Sequence, residues 1–468
     1  MNYSVVIYIL GWIMEIEAAF LALPGIVSAI YGEKGGFAFL WVALGSAVAG
    51  SAIILRKPKN MRFYLREGFV TVALSWILMS VIGCLPFVIN GDIPHFADAL
   101  FEMISGFTTT GATVVSDVEG LTKGSLFWRS FSHWIGGMGV LVFLLAIVPM
   151  AGGSHMNLMK AESPGPSVGK LVPKVRQTAK YLYIIYFTLT MIEVIFLLFG
   201  GMNLFEALTT SFGTAGTGGF AIWNDGFVSV SPYNQWVVTI FMLLFGVNFG
   251  FYFLILTGKL RDALKFEEVR IYFIIVIAAA VFIFINLRHF ALYAPAEGIR
   301  QAFFQVASII TTTGFASADF NLWPETSRTI LVLLMFIGAC AGSTGGGIKV
   351  SRFIIACKSF IKEIISYLHP RSVKKIKIEG KPLEHETLRA TNVYFMTYMV
   401  IFAVSVLLVS IENKDLVTNF AAVAATFNNI GPGLSLVGPM ANFGHFTDFT
   451  KYILMFDMLA GRLEIFPM

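Results

Sequence analysis

Apolar runs of about twenty residues, each long enough to cross a bilayer core as a helix, recur along this chain and limit what it can fold into. Ten candidates stand at about 4–30, 36–56, 68–90, 126–150, 180–200, 234–258, 270–291, 328–365 (interrupted), 391–411 and 449–467. Composition agrees, with 56% hydrophobic and only 13% charged residues, where soluble domains carry about 25% charged. The expected class is an all-α polytopic membrane protein, because a helix satisfies its own backbone polar groups in hydrocarbon. The opening MNYSVVIYILGWIMEIEAAFLALPGIV lacks the charged start and small-residue cleavage site of a secretory leader, so it reads as a span. Cys84, Cys340 and Cys357 sit in or beside apolar segments and supply no disulfide framework.

The net charge of +5 is spread over short loops, which argues for topology rather than nucleic-acid binding. Basic clusters at Arg56/Lys57/Lys59/Arg62/Arg66, Lys160/Lys170/Lys174/Arg176/Lys180, Lys259/Arg261/Lys265/Arg270 and from Lys358 to Arg389 place four loops in the cytoplasm, with both termini. The external loops carry Asp92, Asp117, Glu119, Asp225, Asp319, Glu325, Glu412 and Asp448, a tilt that concentrates cations at a pore mouth.

Between the spans, on the external side, lie four stretches too short to cross: FADALFEMISGFTTTGATV, NLFEALTTSFGTAGTGGFA, IRQAFFQVASIITTTGFAS and NFAAVAATFNNIGPGLSLV. Aligned on Gly111, Gly216, Gly314 and Gly431, they match apolar residues eleven before (Leu100, Phe205, Phe303, Phe420) and four before (Phe107, Phe212, Ile310, Phe427). Apolar positions two helical turns apart predict one amphipathic half-helix per stretch. The chain then divides into a helix pair at 1–66 and four copies of helix, pore loop and helix at 67–178, 179–268, 269–389 and 390–468. Each copy crosses twice, so all four share one orientation and close around a central pore.

A half-helix ending at mid-membrane aims carbonyls with a charge of about −0.5 at the axis, which favours a cation. The turn after it can present backbone carbonyls that replace an ion's hydration shell. The candidate filter is Thr109-Thr110-Gly111, Thr214-Ala215-Gly216, Thr312-Thr313-Gly314 and Asn429-Ile430-Gly431. None is ionisable, which suits a monovalent ion better than a strongly hydrated divalent one. Gly338, Gly342, Gly345, Gly346 and Gly347 interrupt the inner span of the third copy. At about 1 kcal/mol per glycine against helix, they predict an intramembrane loop, with close packing through small residues as the alternative. Arg462 lies in the last span, where an ionisable residue is a functional candidate; snorkelling or pairing with Glu464 is the plain alternative, and Lys349 is a second candidate.

With these turns, SHWIGGMGV (132–140), GACAGSTGGGIKVSR (338–352) and AGRLEIFP (460–467) in place, the chain resembles the Trk/Ktr/HKT superfamily of potassium transport proteins. The likeness covers essentially its whole length and is strongest to the membrane subunit of the bacterial Trk system. It implies pseudo-fourfold pore repeats in one subunit, K⁺ as permeant ion, and a homodimer in the inner membrane. It also implies a cytoplasmic regulatory ring of the TrkA type that carries the nucleotide (ATP/ADP or NAD), with no cofactor on this chain. In such proteins the glycine-rich loop gates the pore, and the arginine matching Arg462 projects into it below the filter. Serine at the first filter glycine accompanies sodium permeation in some plant members; here Gly111 and its three counterparts are all glycine.

Two other classes stay open. A K⁺ secondary transporter coupled to H⁺ or Na⁺ would use His133 or one of Glu15, Glu17 and Glu193 as a relay, although parallel repeats favour it less than inverted ones. A membrane-embedded enzyme fares worse, because no ionisable residues converge by spacing. The GxG turns lack the strand–helix context of nucleotide motifs.

Overall fold

A computed structural model of the chain describes residues 1–58, 64–139, 175–369 and 375–465. Helices dominate. The chain opens on a hairpin of α1 (Tyr3–Ile30) and α2 (Gly36–Ile54). It closes tightly because Gly36 carries no side chain, and a Cβ there would lie 2.5 Å from the Cβ of Ser28. The span α3 (Leu65–Asn90) stops at the left-handed Gly91 and is followed by the short α4 (Phe96–Phe107) and by α5 (Lys123–Met138). The part of the predicted 126–150 span beyond Gly139, with the basic loop that follows, lies outside the described residues.

The pattern of long span, short helix and inner helix then recurs. It comprises α6 (Val175–Phe199), α7 (Leu204–Gly216) and α8 (Pro232–Phe245), with α9 (Phe249–Leu256) and a short α10 (Leu260–Ala263) appended. Next come α11 (Glu267–His289), α12 (Pro295–Ile310) and α13 (Glu325–Ile337), continued past a loop by α14 (Val350–Leu368). After a two-stranded antiparallel ribbon, Lys377–Ile378 with Lys381–Pro382, come α15 (His385–Val409), α16 (Leu416–Phe427) and α17 (Asp448–Arg462).

Among the described residues six helices are long and apolar enough to span: α1, α2, α3, α6, α11 and α15. This is a multi-pass membrane architecture. The expected continuous span at 234–258 is instead two helices, α8 and α9, meeting at 89°. Asn248 makes the break, because its side-chain oxygen accepts from the Gly250 N–H (2.8 Å) and starts a new helix there. The opened backbone is used by the third copy: Gly246 O accepts from Cys340 N (3.1 Å), and Phe249 N donates to Gly342 O (3.0 Å). The interruption predicted after Gly338 is present, between α13 and α14.

Lipid-length helices carry their large apolar residues outward, among them Ile7, Trp41, Phe187, Ile274 and Leu407, while the four short helices are mostly buried beyond their first turns. Segments that would strand polar backbone in hydrocarbon are thus enclosed by protein.

Candidate functional site at the four turns

Past its last helical turn each short helix makes the same three-residue step. The first residue is left-handed: Thr109 (φ 56°), Thr217 (54°), Thr312 (59°) and Asn429 (55°). The second returns its N–H to the carbonyl five residues back, as Thr110 to Ser105 (2.9 Å), Gly218 to Gly213 (2.8 Å), Thr313 to Ser308 (2.9 Å) and Ile430 to Ala425 (2.8 Å). The third is a glycine of positive φ: Gly111 (77°), Gly219 (85°), Gly314 (83°) and Gly431 (93°).

The second copy therefore sits three residues later than the alignment on Gly216 expects. Thr214, Ala215 and Gly216 form the last turn of α7, and the turn itself is Thr217-Gly218-Gly219. Within that last turn the Thr214 hydroxyl bonds back to Thr210 O (3.0 Å), and Gly216 is needed for packing, since a Cβ there would collide with the His133 backbone. In the other three copies the predicted triplets occupy the turn.

The glycines decide how the turns sit together. A Cβ on Gly111 would strike the carbonyl oxygen of Gly218, one on Gly219 that of Thr313, and one on Gly314 that of Ile430. On Gly431 it would lie 2.7 Å from Thr110 O. Each glycine thus backs onto the carbonyl of the next copy, and the fourth closes onto the first. Above this ring is a cavity of about 130 Å³ whose wall includes all four glycines. At its rim Asn224 donates to Asp117 (2.9 Å) and its backbone N–H to Glu119 (3.0 Å). The Asn224 bond holds the Asp117 carboxyl below its usual range, so it stays ionised at neutral pH.

Beneath the ring lies the loop between α13 and α14. Gly346 N donates to Thr312 Oγ1 (2.6 Å), and side chains on Gly345 or Gly346 would press on Thr311 O (2.8 Å) or Asn428 O (2.6 Å). Gly338, Gly342 and Gly347 all have positive φ, as does Lys349 (82°), whose amine donates to Gly345 O. The five predicted glycines therefore form a loop folded against the underside of the turns. Arg462 does not snorkel: it donates to Thr344 O in the loop (2.8 Å) and to Gly137 O (2.9 Å) and Gly136 O of α5. Glu464 pairs instead with Arg352 (3.1 Å).

Residues 37–468 match the TrkH family, described as cation transport protein. The chain belongs to the TrkH family. It is 36% identical to the Trk system potassium uptake protein TrkH of Escherichia coli K12, over 100% of this chain and 98% of that one. It is 31% identical to TrkG of the same organism, over 100% and 97%. Superposed on the crystal structure of the potassium transporter TrkH from Vibrio parahaemolyticus, it gives a TM-score of 0.89 at 32% identity, covering 100% of this chain and 98% of that one.

In this TrkH-family chain the turns are held from behind by groups the sequence did not single out. Glu102 of α4 and Arg129 of α5, both fully buried, form an ion pair (2.7 Å). Glu102 also accepts from Val114 N (3.1 Å) and Thr113 Oγ1 (2.9 Å), while Arg129 stacks on Phe220 (4.2 Å) and reaches Ala221 O (3.4 Å). The pair thus braces the segments leaving the first two turns. A carboxylate nine residues before the turn glycine was the available signal, but nothing local to it names Arg129. Removing one partner of a buried pair strands the other charge, at about 3–5 kcal/mol. Arg129→Met is therefore expected to lower the unfolding temperature more than Arg129→Met combined with Glu102→Gln, checked by thermal denaturation in detergent.

His133 is a brace as well. Its Nδ1 bonds Gly106 O (2.7 Å), so Nδ1 carries the proton, and Nε2 accepts from Phe220 N (3.2 Å). Both nitrogens are engaged in the neutral ring, which leaves no free position for proton transfer. In the fourth copy asparagines replace the threonines: Asn428 accepts from Tyr398 OH (2.9 Å), and Asn429 donates to Thr110 Oγ1 (3.0 Å) and Met458 O (2.8 Å).

Proposed function

We propose that this chain is the conducting subunit of a potassium uptake system of the bacterial inner membrane. K⁺ passes through the ring formed by the carbonyls of Thr110, Gly218, Thr313 and Ile430, assisted by the turn residues Thr109, Thr217, Thr312 and Asn429. The observation that carries this reading is the ring itself: four turns of one conformation, each glycine fitted to the carbonyl of the next. Carbonyl dipoles on that scale replace the hydration shell of a monovalent cation. The potassium uptake relatives at 29–36% identity over nearly their whole length support K⁺ as the ion.

The loop of Gly338, Gly342, Gly345, Gly346, Gly347 and Lys349 is the gate, and Arg462 holds it shut. Its guanidinium ties the loop to α5 and puts a positive charge below the filter, which opposes a cation electrostatically. A homodimer with both termini in the cytoplasm, regulated by a cytoplasmic TrkA-like subunit that carries the nucleotide, completes the proposal; this chain itself binds only the permeant ion. A membrane potential supplies about 2.3 kcal/mol per charge per 100 mV, sufficient for accumulation without a second coupled ion. The neutral, doubly bonded His133 gives coupled transport no relay at that position.

The test is ⁸⁶Rb⁺ uptake into proteoliposomes holding this chain, with K⁺, Na⁺ or Li⁺ as competitor and no proton or sodium gradient. Uptake displaced best by K⁺ is expected. Uptake that starts only when a proton or sodium gradient is imposed would reassign the chain as a coupled transporter.

A further inference from the structure

Resting on the gating reading above, a single carboxylate outside the loop ties the loop to the start of the helix that follows it. Glu268, in the first turn of α11 and only 7% exposed, accepts from Ala341 N (2.7 Å) and from Ser351 N (2.9 Å) through the same oxygen, Oε1. The Ala341 N–H lies within the loop, next to Gly342, and the Ser351 N–H in the first turn of α14, where the loop ends. Between them the neck is closed by Val350 N donating to Ala339 O (3.0 Å). The neighbouring Glu267 pairs with Lys358 of α14 (2.6 Å), and the amine of Lys358 also reaches Lys377 O in the ribbon (2.7 Å). One helix start therefore holds both the loop neck and the element leading from it to the cytoplasmic ribbon.

We infer that Glu268 is the latch of the gate: its carboxylate holds Ala341 and Ser351 together, and the loop leaves the underside of the turns only when that grip is released. Two charge-assisted bonds converge on one oxygen, and such bonds are about twice as strong as neutral ones. Sliding α14 relative to α11 must break one of them, whereas moving the tip of the loop alone breaks neither. The latch thus ties loop release to displacement of α14, which Lys358 at its midpoint anchors to Glu267 and to the ribbon. Glu268 is a positioning residue and touches no permeating ion.

The chain carries its own reporter. Cys340 lies in the loop and Cys84 in α3, both buried, whereas Cys357 is exposed. In a Cys357→Ser background, N-ethylmaleimide labelling of each thiol is followed by mass spectrometry in the full-length protein, with ⁸⁶Rb⁺ flux measured in parallel. Glu268→Ala is expected to speed Cys340 labelling at least tenfold, the equivalent of about 1.4 kcal/mol, with Cys84 unchanged. Basal flux is expected to rise while the K⁺/Na⁺ competition ratio stays that of the parent. Glu268→Gln keeps the acceptor and removes its charge, so an intermediate Cys340 rate is expected. An unchanged Cys340 rate in Glu268→Ala overturns the latch. If alanine exposes both cysteines, the fold has been lost and the glutamine variant decides: a faster Cys340 alone supports the latch, and a parental rate overturns it. Labelling needs no conduction, so the latch is tested even where the parent protein, its gate shut, shows no flux, whereas uptake that starts only with an imposed proton or sodium gradient would sink the proposed function.

Discussion

Gly219→Ala is expected to abolish ⁸⁶Rb⁺ uptake as completely as Gly111→Ala or Gly314→Ala. A methyl group there meets the carbonyl oxygen of Thr313, itself fixed by the Thr313–Ser308 bond (2.9 Å), so the neighbour has little room to yield. The left-handed backbone adds about 1–3 kcal/mol for any residue with a Cβ, a factor of about five to a hundred and sixty in the population of the intact turn. Since each turn backs onto the next, damage at one position misplaces its neighbour's oxygen too. The measurement is uptake at matched protein density in the membrane, with size-exclusion profiles to check folding. Wild-type uptake by Gly219→Ala would mean that the second turn is not part of the conducting ring.

Replacing Arg462 should have the opposite sign. Arg462→Ala removes the donors to Thr344, Gly136 and Gly137 together with a positive charge under the proposed filter. A unit charge about 8 Å from an ion, at an effective dielectric constant of 20, is worth about 2 kcal/mol, or about thirtyfold in flux. Basal uptake is therefore expected to rise by about that factor, with little change in ion preference, because the ring above is untouched. Arg462→Lys separates the two contributions. It keeps the charge but loses the planar fork that reaches separate carbonyls, so its flux should fall between parent and alanine. A fall in basal flux for Arg462→Ala would exclude the gating role.

The fold was legible because the bilayer imposes a length on helices, and the positions of most spans follow from that length alone. Three of the four turns were also legible, since Thr-Thr-Gly and Asn-Ile-Gly stand where a half-helix runs out of apolar positions. The second was misplaced because Thr214-Ala215-Gly216 imitates the motif and Phe205 and Phe212 imitate its spacing, while the true turn spends two glycines in succession. The left-handed Thr217, the Gly218–Gly213 bond and the carbonyl facing each Cβ position separate the two registers. The break at Gly246–Asn248 was hidden for a related reason: hydropathy continues across it, and the interrupting side chain is a cap rather than a proline. Glu102, Arg129 and Glu268 act through partners distant in sequence, so no local pattern exposes them.

The ring closes between distant parts of the chain: Asn429 bonds Thr110 across 319 residues. During synthesis the first three turns enter the membrane long before the fourth exists, so a nascent chain holds no complete ring of oxygens. On the proposed function, a conduit able to dissipate the cell's ion gradients is therefore complete only once the fourth turn has met the first. Chains cut short before Gly431 lack the fourth turn and are expected to carry no K⁺-selective flux.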